Sequence, residues 1–386
     1  MHLSEILTHL GENRQDYFNA VSPPVIQTSN FTFDSLENFR QQFSDEFSHH
    51  VYSRGNNPTV EILRKKIAAL EGAEDALVFG SGMAAISTAV IANVKAGDHI
   101  ICVDSPYSWT KILLNDFLPR FGVEHSYVDG RDIQHFEAAI RPNTTLMVLE
   151  SPNSLTFELQ DLAACAKLAK KHGIITCIDN SYCSPLFQRP LDFGIDIAMH
   201  TGTKYLNGHS DVVMGVLCAN REMIRKIFEL DYMTLGPVLS PHAAALAIRG
   251  LRTLELRLQR SHDSAMKITH WLHKHPKIEQ VLYPFHPSFL QHELAKKQMK
   301  GAGGLFSVYL RAASKIKAET FFRRLERFLL AVSWGGHESL VLPSVAFHDI
   351  PGREDSPIPW NLVRFYIGLE DPDWLIEDLE NALAVI

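Results

Sequence analysis

Lys204 follows a short apolar run, residues 195–199, through His200-Thr201-Gly202-Thr203. Asp179, 25 residues upstream, closes another apolar run, residues 174–178. Two strand-like runs that each end on ionisable side chains deliver those side chains to one rim of a buried parallel sheet. That rim is where open α/β sheets bind ligands. An amine there can condense with an aldehyde, and a carboxylate can hold a pyridine nitrogen protonated. Hydroxyls at Thr201 and Thr203 can hydrogen-bond a phosphate. These are the parts that a pyridoxal 5′-phosphate (PLP) site requires. Strand-end Asp and Lys residues are more often solvated or paired, so the pattern needs support from elsewhere in the chain.

A second anion site precedes it. Residues 75–79 read as a short strand, followed by Gly80-Ser81-Gly82-Met83-Ala84-Ala85 and an apolar helix to residue 94. Glycines between a strand and a helix N-terminus leave backbone N–H groups free for an anion. The same run fits a loose GxGxxA dinucleotide pattern, with Asp104 22 residues past Gly82 near the expected ribose-binding position. An NAD-dependent dehydrogenase is therefore a rival reading, although nothing in it uses Lys204 or Asp179.

The elements that must position these residues are legible as periodicity. Strand–helix alternation from 75 to 218 implies a doubly wound, mainly parallel sheet. Asn57-Pro58 opens a helix whose apolar face is Val60, Leu63, Ile67 and Leu70, and Gly72 stops it. Residues 1–48 are broken by Pro23-Pro24 and carry five phenylalanines between 31 and 47, which suggests an arm packed on a partner subunit. The pattern changes near Leu239-Ser240-Pro241, giving three segments: 1–48, 49–238 and 239–386. In the last, one long amphipathic helix is expected over 242–274, bending near Gly250. His270 and His273 lie three apart on it without an evident third ligand, so no metal site is expected. Gly301-Ala302-Gly303-Gly304 is expected to enter a strand of a smaller α/β domain.

Bulk properties exclude several classes. The chain has 386 residues, a net charge of −7 and no long basic cluster, so nucleic acid and anionic membranes are poor partners. Five scattered cysteines without a CxxC pair favour a reducing, cytoplasmic setting over a disulfide framework. The first residues show no signal-peptide pattern, and no run of about 18 apolar residues is present.

Asp179-Asn180, Thr203-Lys204-Tyr205-Leu206 and Gly208-His209-Ser210-Asp211 together resemble the lysine region of the PLP enzymes of Cys/Met metabolism, which include cystathionine lyases and synthases and methionine γ-lyase. Ser81-Gly82-Met83-Ala84 is similar to that family's phosphate loop. Tyr52-x-Arg54 before Asn57-Pro58-Thr59 resembles its Tyr-x-Arg pair, and Ser333-Trp334-Gly335-Gly336-His337-Glu338-Ser339-Leu340 its Ser-x-Gly-Gly-x-Glu-Ser-Leu motif. The resemblance covers about residues 15–386. It implies a fold type I, aspartate aminotransferase-like architecture, with a seven-stranded, mainly parallel sheet and a smaller C-terminal domain.

The resemblance also implies roles. Lys204 would carry PLP, Asp179 would face its ring nitrogen, and Tyr107 would stack on the ring and handle protons. Ser81, Gly82, Met83, Thr201 and Thr203, with Tyr52 and Arg54 of a neighbouring subunit, would bind its phosphate. Arg364, on the apolar run 362–367, would grip a substrate α-carboxylate, a task suited to guanidinium geometry. Ser339 would steer the lysine and, with Trp334 and Tyr107, line the substrate site. Ser108-Trp109-Thr110 lacks the cysteine of methionine γ-lyases, and Glu150-Ser151-Pro152-Asn153-Ser154-Leu155-Thr156 and Trp334 resemble bacterial cystathionine β-lyases. Leu342 stands where γ-lyases acting on cystathionine carry an acid. The expected reaction is β-elimination of cystathionine to homocysteine, pyruvate and ammonia, in methionine biosynthesis, by a homotetramer built as a dimer of dimers with shared active sites. A γ-lyase, a γ-synthase or a cysteine desulfhydrase is the alternative.

Overall fold

The computed structural model describes residues 1–348, 350 and 356–386. Seven strands form the large sheet: β1 (Asp75–Phe79), β2 (His99–Val103), β3 (Glu124–Val128), β4 (Thr144–Glu150), β5 (Ile175–Asp179), β6 (Ile197–His200) and β7 (Gly215–Ala219). Their order is β1-β7-β6-β5-β4-β2-β3, and only β7 runs against the rest. Helices cover both faces, which is why β2 and β7 are buried along their whole length and read as unbroken apolar runs rather than alternating ones. The doubly wound, mainly parallel sheet expected from the alternation is therefore present.

Local signals account for the helix ends. Helix α1 (Leu3–Thr8) and helix α2 (Leu36–Phe43) lie in the N-terminal segment. In α3 (Pro58–Glu71) the Asn57 side chain accepts from Thr59 N at 3.0 Å, Pro58 occupies the first turn, and Gly72 ends the helix at φ 75°. Helix α4 (Gly82–Ile91) starts where the Ser81 hydroxyl accepts from Ala84 N at 3.1 Å. Among the described residues, no helix is long and apolar enough to cross a membrane.

The smaller sheet has strands β8 (Ile278–Leu282), β9 (Leu305–Leu310), β10 (Leu329–Leu330), β11 (Leu340–Pro343) and β12 (Leu362–Tyr366), in the order β10-β11-β12-β9-β8. It starts earlier than the glycine tetrad, at β8. Gly303 and Gly304 do enter β9, and Gly304 N donates to the Tyr205 hydroxyl at 2.8 Å, joining this sheet to the residue after Lys204. The single helix expected over 242–274 is two, Pro241–Leu251 and Leu254–Lys274, interrupted at Arg252-Thr253. The interruption keeps Arg257 aimed back at the break: its guanidinium donates to Gly250 O at 2.8 Å and Tyr205 O at 3.0 Å.

The N-terminal segment is tied down by one buried carboxylate. Glu12 meets Lys66 Nζ at 3.1 Å and Arg252 at 3.3 Å, and Lys66 also donates to the Ile6 and Leu7 carbonyls at the end of α1. Beyond it the arm exposes aromatic surface. Phe18 is fully exposed, and the Phe33–Phe39–Phe43 cluster, with centroids 4.9 and 5.4 Å apart, leaves Phe39 and Phe43 half in solvent.

Gly250 is a packing necessity. A Cβ there would come 2.2 Å from the Asn207 carbonyl oxygen, in the loop after Lys204. Overpacking a dense interior costs about 1–3 kcal/mol. Gly250→Ala is expected to lower the thermal melting temperature by several degrees, and an unchanged melting curve would show that the loop yields freely.

Candidate active site

The C-terminal ends of β4, β5 and β6 deliver Glu150, Asp179 and, through one turn, Lys204 to a common rim. Arg364 approaches from the second sheet, in the middle of β12. The two sheets meet over the lysine. Lys204 Nζ donates to the Ser333 hydroxyl and lies 5.4 Å from the centre of the Trp334 ring. Trp334 is itself buried, edge-on to Tyr205 at 5.2 Å. Gly335, at φ 90°, lets that segment press on the lysine backbone, because a Cβ there would come 2.8 Å from Lys204 C.

Burial sets the electrostatics. Desolvation, and then the Arg364 charge, push the Lys204 amine down to about 8, against a smaller opposing pull from Asp179. Arg364 is itself lowered to about 10 by burial. Asp179 and Glu150 are register partners on adjacent parallel strands. Burial raises both carboxyls, and the neighbouring Asp179 charge raises Glu150 further, to about 8. Asp179 is pulled back by Ser181, whose N–H and hydroxyl donate to Oδ1 at 2.9 and 2.5 Å. Its Oδ2 has no hydrogen-bond partner among the described residues.

The glycine loop meets the lysine turn. A Cβ on Gly82 would lie 2.2 Å from Thr201 Oγ1, so the first turn of α4 and the Thr201 hydroxyl share one small space. Thr201 N donates to the Ser181 hydroxyl at 2.6 Å. Thr203 is less free: its hydroxyl donates to Met214 O at 3.2 Å and accepts from Met214 N at 2.9 Å. Open N–H groups at a helix start, a neighbouring hydroxyl, a desolvated amine and a carboxylate with a free oxygen fit PLP as a donor set.

Other expected residues fall differently. Tyr107 lies at the rim, 40% exposed, with its phenol raised by burial and then by Asp179 and Glu150. Ser339 does not reach the amine. It is fully buried, donating to Glu370 Oε2 at 2.8 Å and accepting from Gly368 N at 2.9 Å, so its hydroxyl is spent inside the second sheet. Ser333 takes the place expected for it. Tyr52 and Arg54 are exposed and contact each other, with the guanidinium 5.5 Å from the ring centre, rather than the lysine of their own chain.

Two contributors escaped the residue-by-residue reading. Glu150 accepts from Tyr107 N at 2.6 Å and Ser154 N at 3.0 Å, and Ser154 O accepts from Arg364 Nη1 at 2.9 Å. One carboxylate thus supports both the tyrosine and the loop that orients the arginine. Its position at a strand end, like that of Asp179, was the available signal. Ser333 opens the motif already matched at residues 333–340, but its turn toward the lysine depends on a left-handed φ of 81°.

Residues 4–384 match the family described as Cys/Met metabolism PLP-dependent enzymes. Cystathionine γ-lyase of Mus musculus is 41% identical over 350 residues, covering 89% of this chain and 87% of that protein. L-methionine γ-lyase of Pseudomonas putida is 38% identical, covering 97% and 95%. L-alanine/L-glutamate racemase of Wolbachia pipientis wMel is 37% identical, covering 98% and 96%.

An amine lowered to about 8 is nucleophilic once deprotonated, so its reactivity rises as pH passes that value. Imine formation between Lys204 and PLP added to cofactor-free protein is expected to accelerate through pH 8 and level off above it. A profile still climbing near pH 10 would mean a solvated amine.

Proposed function

The chain belongs to the Cys/Met metabolism PLP-dependent enzymes, and from that premise we propose that it is a carbon–sulfur lyase that eliminates at Cγ of cystathionine, yielding cysteine, 2-oxobutyrate and ammonia. The observation that carries the lyase reading is the desolvated Lys204 amine held between Ser333, Trp334 and the Arg364 charge. The γ position is favoured by relatives named cystathionine γ-lyase and L-methionine γ-lyase at 38–41% identity. They support it better than the β-elimination expected from the motifs. The dinucleotide reading of residues 80–85 gives way with the family. Strand β1, which leads into that turn, is an edge strand antiparallel to β7, not the centre of a nucleotide-binding sheet.

Bound PLP supplies a ring that accepts electrons from the substrate's Cα. Arg364, oriented by the Ser154 carbonyl, binds the α-carboxylate in a charge-assisted hydrogen bond. Lys204, uncharged at modest alkaline pH, takes the Cα proton. In γ-elimination the same amine would also move a proton at Cβ, and the Ser333 hydroxyl restrains its position. Tyr107, protonated because its phenol is raised, is the acid for the leaving sulfur. Asp179 would face the ring nitrogen. Ser81, Gly82, Met83, Thr201 and Thr203 would hold the phosphate, joined by Tyr52 and Arg54 from a second copy of the chain. Trp334 walls the substrate side.

One observation favours β-cleavage as a second reading. Leu342 is the cross-strand partner of Arg364, so both side chains share a face of the sheet, and an apolar group stands there in place of the γ-lyase acid. Incubation with cystathionine separates the two: 2-oxobutyrate is expected, and pyruvate as the main keto acid would replace γ- by β-elimination.

Lys204→Ala is expected to abolish turnover and borohydride fixation of the cofactor, and near-normal activity would sink the mechanism. For Arg364→Ala, KM for the amino acid is expected to rise about 10- to 100-fold, the range for a charged hydrogen bond. Parent-like KM would remove the carboxylate role. Inactive Arg54→Ala and Lys204→Ala chains should regain activity when mixed and exchanged, and persistent inactivity after proven exchange would exclude a shared site.

A further inference from the structure

A chain of contacts joins residues 1–22 to the turn that carries Lys204. Glu12 is buried where three basic side chains converge: its carboxyl oxygens lie 3.1 Å from Lys66, 3.3 Å from Arg252 and 3.4 Å from Arg14. Lys66 also binds the Ile6 and Leu7 carbonyls, so α1, Glu12 and α3 are tied together. Arg252 is partly exposed. Its side-chain partners among the described residues both belong to this segment, Glu12 and, at 3.5 Å, the Ser22 hydroxyl. A buried charge cluster is often no more stabilising than apolar side chains of the same volume. What this one does is fix where Arg252 stands.

Arg252 stands at the break between helices Pro241–Leu251 and Leu254–Lys274. The next residue, Thr253, donates its N–H and its hydroxyl to the Gly250 carbonyl at 3.1 and 3.2 Å. The same hydroxyl accepts from Arg257 Nε at 3.0 Å, and Arg257 Nη2 donates to the Gly250 carbonyl at 2.8 Å. This break meets the lysine turn at two points. Arg257 Nη1 donates to Tyr205 O at 3.0 Å, and Gly250 lies so close to the Asn207 carbonyl that a Cβ has no room. The turn closes over the same stretch, with Asn207 N donating to Gly202 O at 3.0 Å and Gly208 N to Lys204 O at 2.8 Å.

No acid pairs with Arg257 among the described residues, so this buried guanidinium depends on three oxygens: the Gly250 and Tyr205 carbonyls and the Thr253 hydroxyl. A shift of the break would leave it short of acceptors or draw the Tyr205 carbonyl along, and a buried cation without acceptors is costly. The path from Glu12 to the residue after Lys204 is therefore continuous and stiff. We infer that residues 1–22 form a clasp that positions Lys204, acting through the Glu12–Arg252 pair on the break and through Arg257 on the turn. Glu12 and Arg252 are positioning residues. The inference rests on the proposed reading in which Lys204 binds PLP.

The test compares the parent protein with E12Q, R252Q and K66M by hydrogen–deuterium exchange under native conditions. Mass spectrometry reads peptides spanning 202–211 and, as a reference for global opening, β2. E12Q and R252Q should each speed exchange in 202–211 about tenfold more than in β2, the effect of losing one charge-assisted hydrogen bond. The double variant should speed it no further, because both changes cut the same link. Freed of cofactor, the same variants should form the imine with added PLP more slowly by a similar factor. K66M frees α1 from Glu12 but spares Arg252, so it should lower the melting temperature without opening 202–211. Equal acceleration in β2, additive effects, or opening of 202–211 by K66M would each overturn the clasp. R252Q alters a partly exposed side chain and serves alone if E12Q does not fold. K204A separates the two readings. If it still fixes PLP under borohydride, the role of Lys204 fails. If it loses fixation while E12Q and R252Q exchange like the parent, only the clasp fails.

Discussion

A solvated lysine has a pKa near 10.4 and is a cation at neutral pH, so an amine that must act as nucleophile and base has to be taken out of water. At Lys204 this is done by enclosure between two sheets, with the guanidinium of Arg364 adding to the effect. Neither sheet suffices alone. The large sheet supplies the turn after β6, and the small one supplies Ser333 and Trp334 above it. The contacts that hold the two sheets together, Tyr205 to Gly304 and Arg257 to the Tyr205 carbonyl, therefore also help keep the amine desolvated.

The same enclosure creates a difficulty with carboxyls. Glu150 and Asp179 are brought side by side by the register of β4 and β5, and burial raises both. Hydrogen bonds divide their duties. Glu150 is engaged by the backbone at Tyr107 and Ser154, whereas Asp179 uses one oxygen on Ser181 and leaves the other without a hydrogen bond among the described residues. A structural carboxyl beside one available to a ligand is a division that strand register alone could not produce.

The residues proposed to recognise substrate come from distant parts of the chain. Arg364 is oriented by the carbonyl of Ser154, 210 residues earlier, in a loop whose Asn153 side chain accepts from three successive backbone N–H groups, those of Leu155, Thr156 and Phe157. Leu342 beside Arg364 makes that wall apolar where the γ-lyase pattern has an acid. The overall identity to γ-lyases and this local departure therefore point different ways on where the thioether is cut.

Short apolar runs and cap residues determined several of the strands, their alternation with helices and the start and stop of α3, because these depend on neighbours within a few residues. The same local rule put Asp179 at a strand end and Lys204 in the turn after one. It also held for Glu150, whose place at the end of β4 carried the same signal. Partners distant in sequence were decided only by the tertiary structure. Ser333 and Ser339 sit six residues apart in one motif. A left-handed φ turns the first toward the lysine, while Glu370 and Gly368 capture the second. The break at Arg252-Thr253 falls just past Gly250, where a bend was legible, but the contact it makes, Arg257 reaching the lysine loop, was not. A side chain's partner is chosen by how sheets and helices pack, and that packing is a property of the whole chain rather than of any stretch within it.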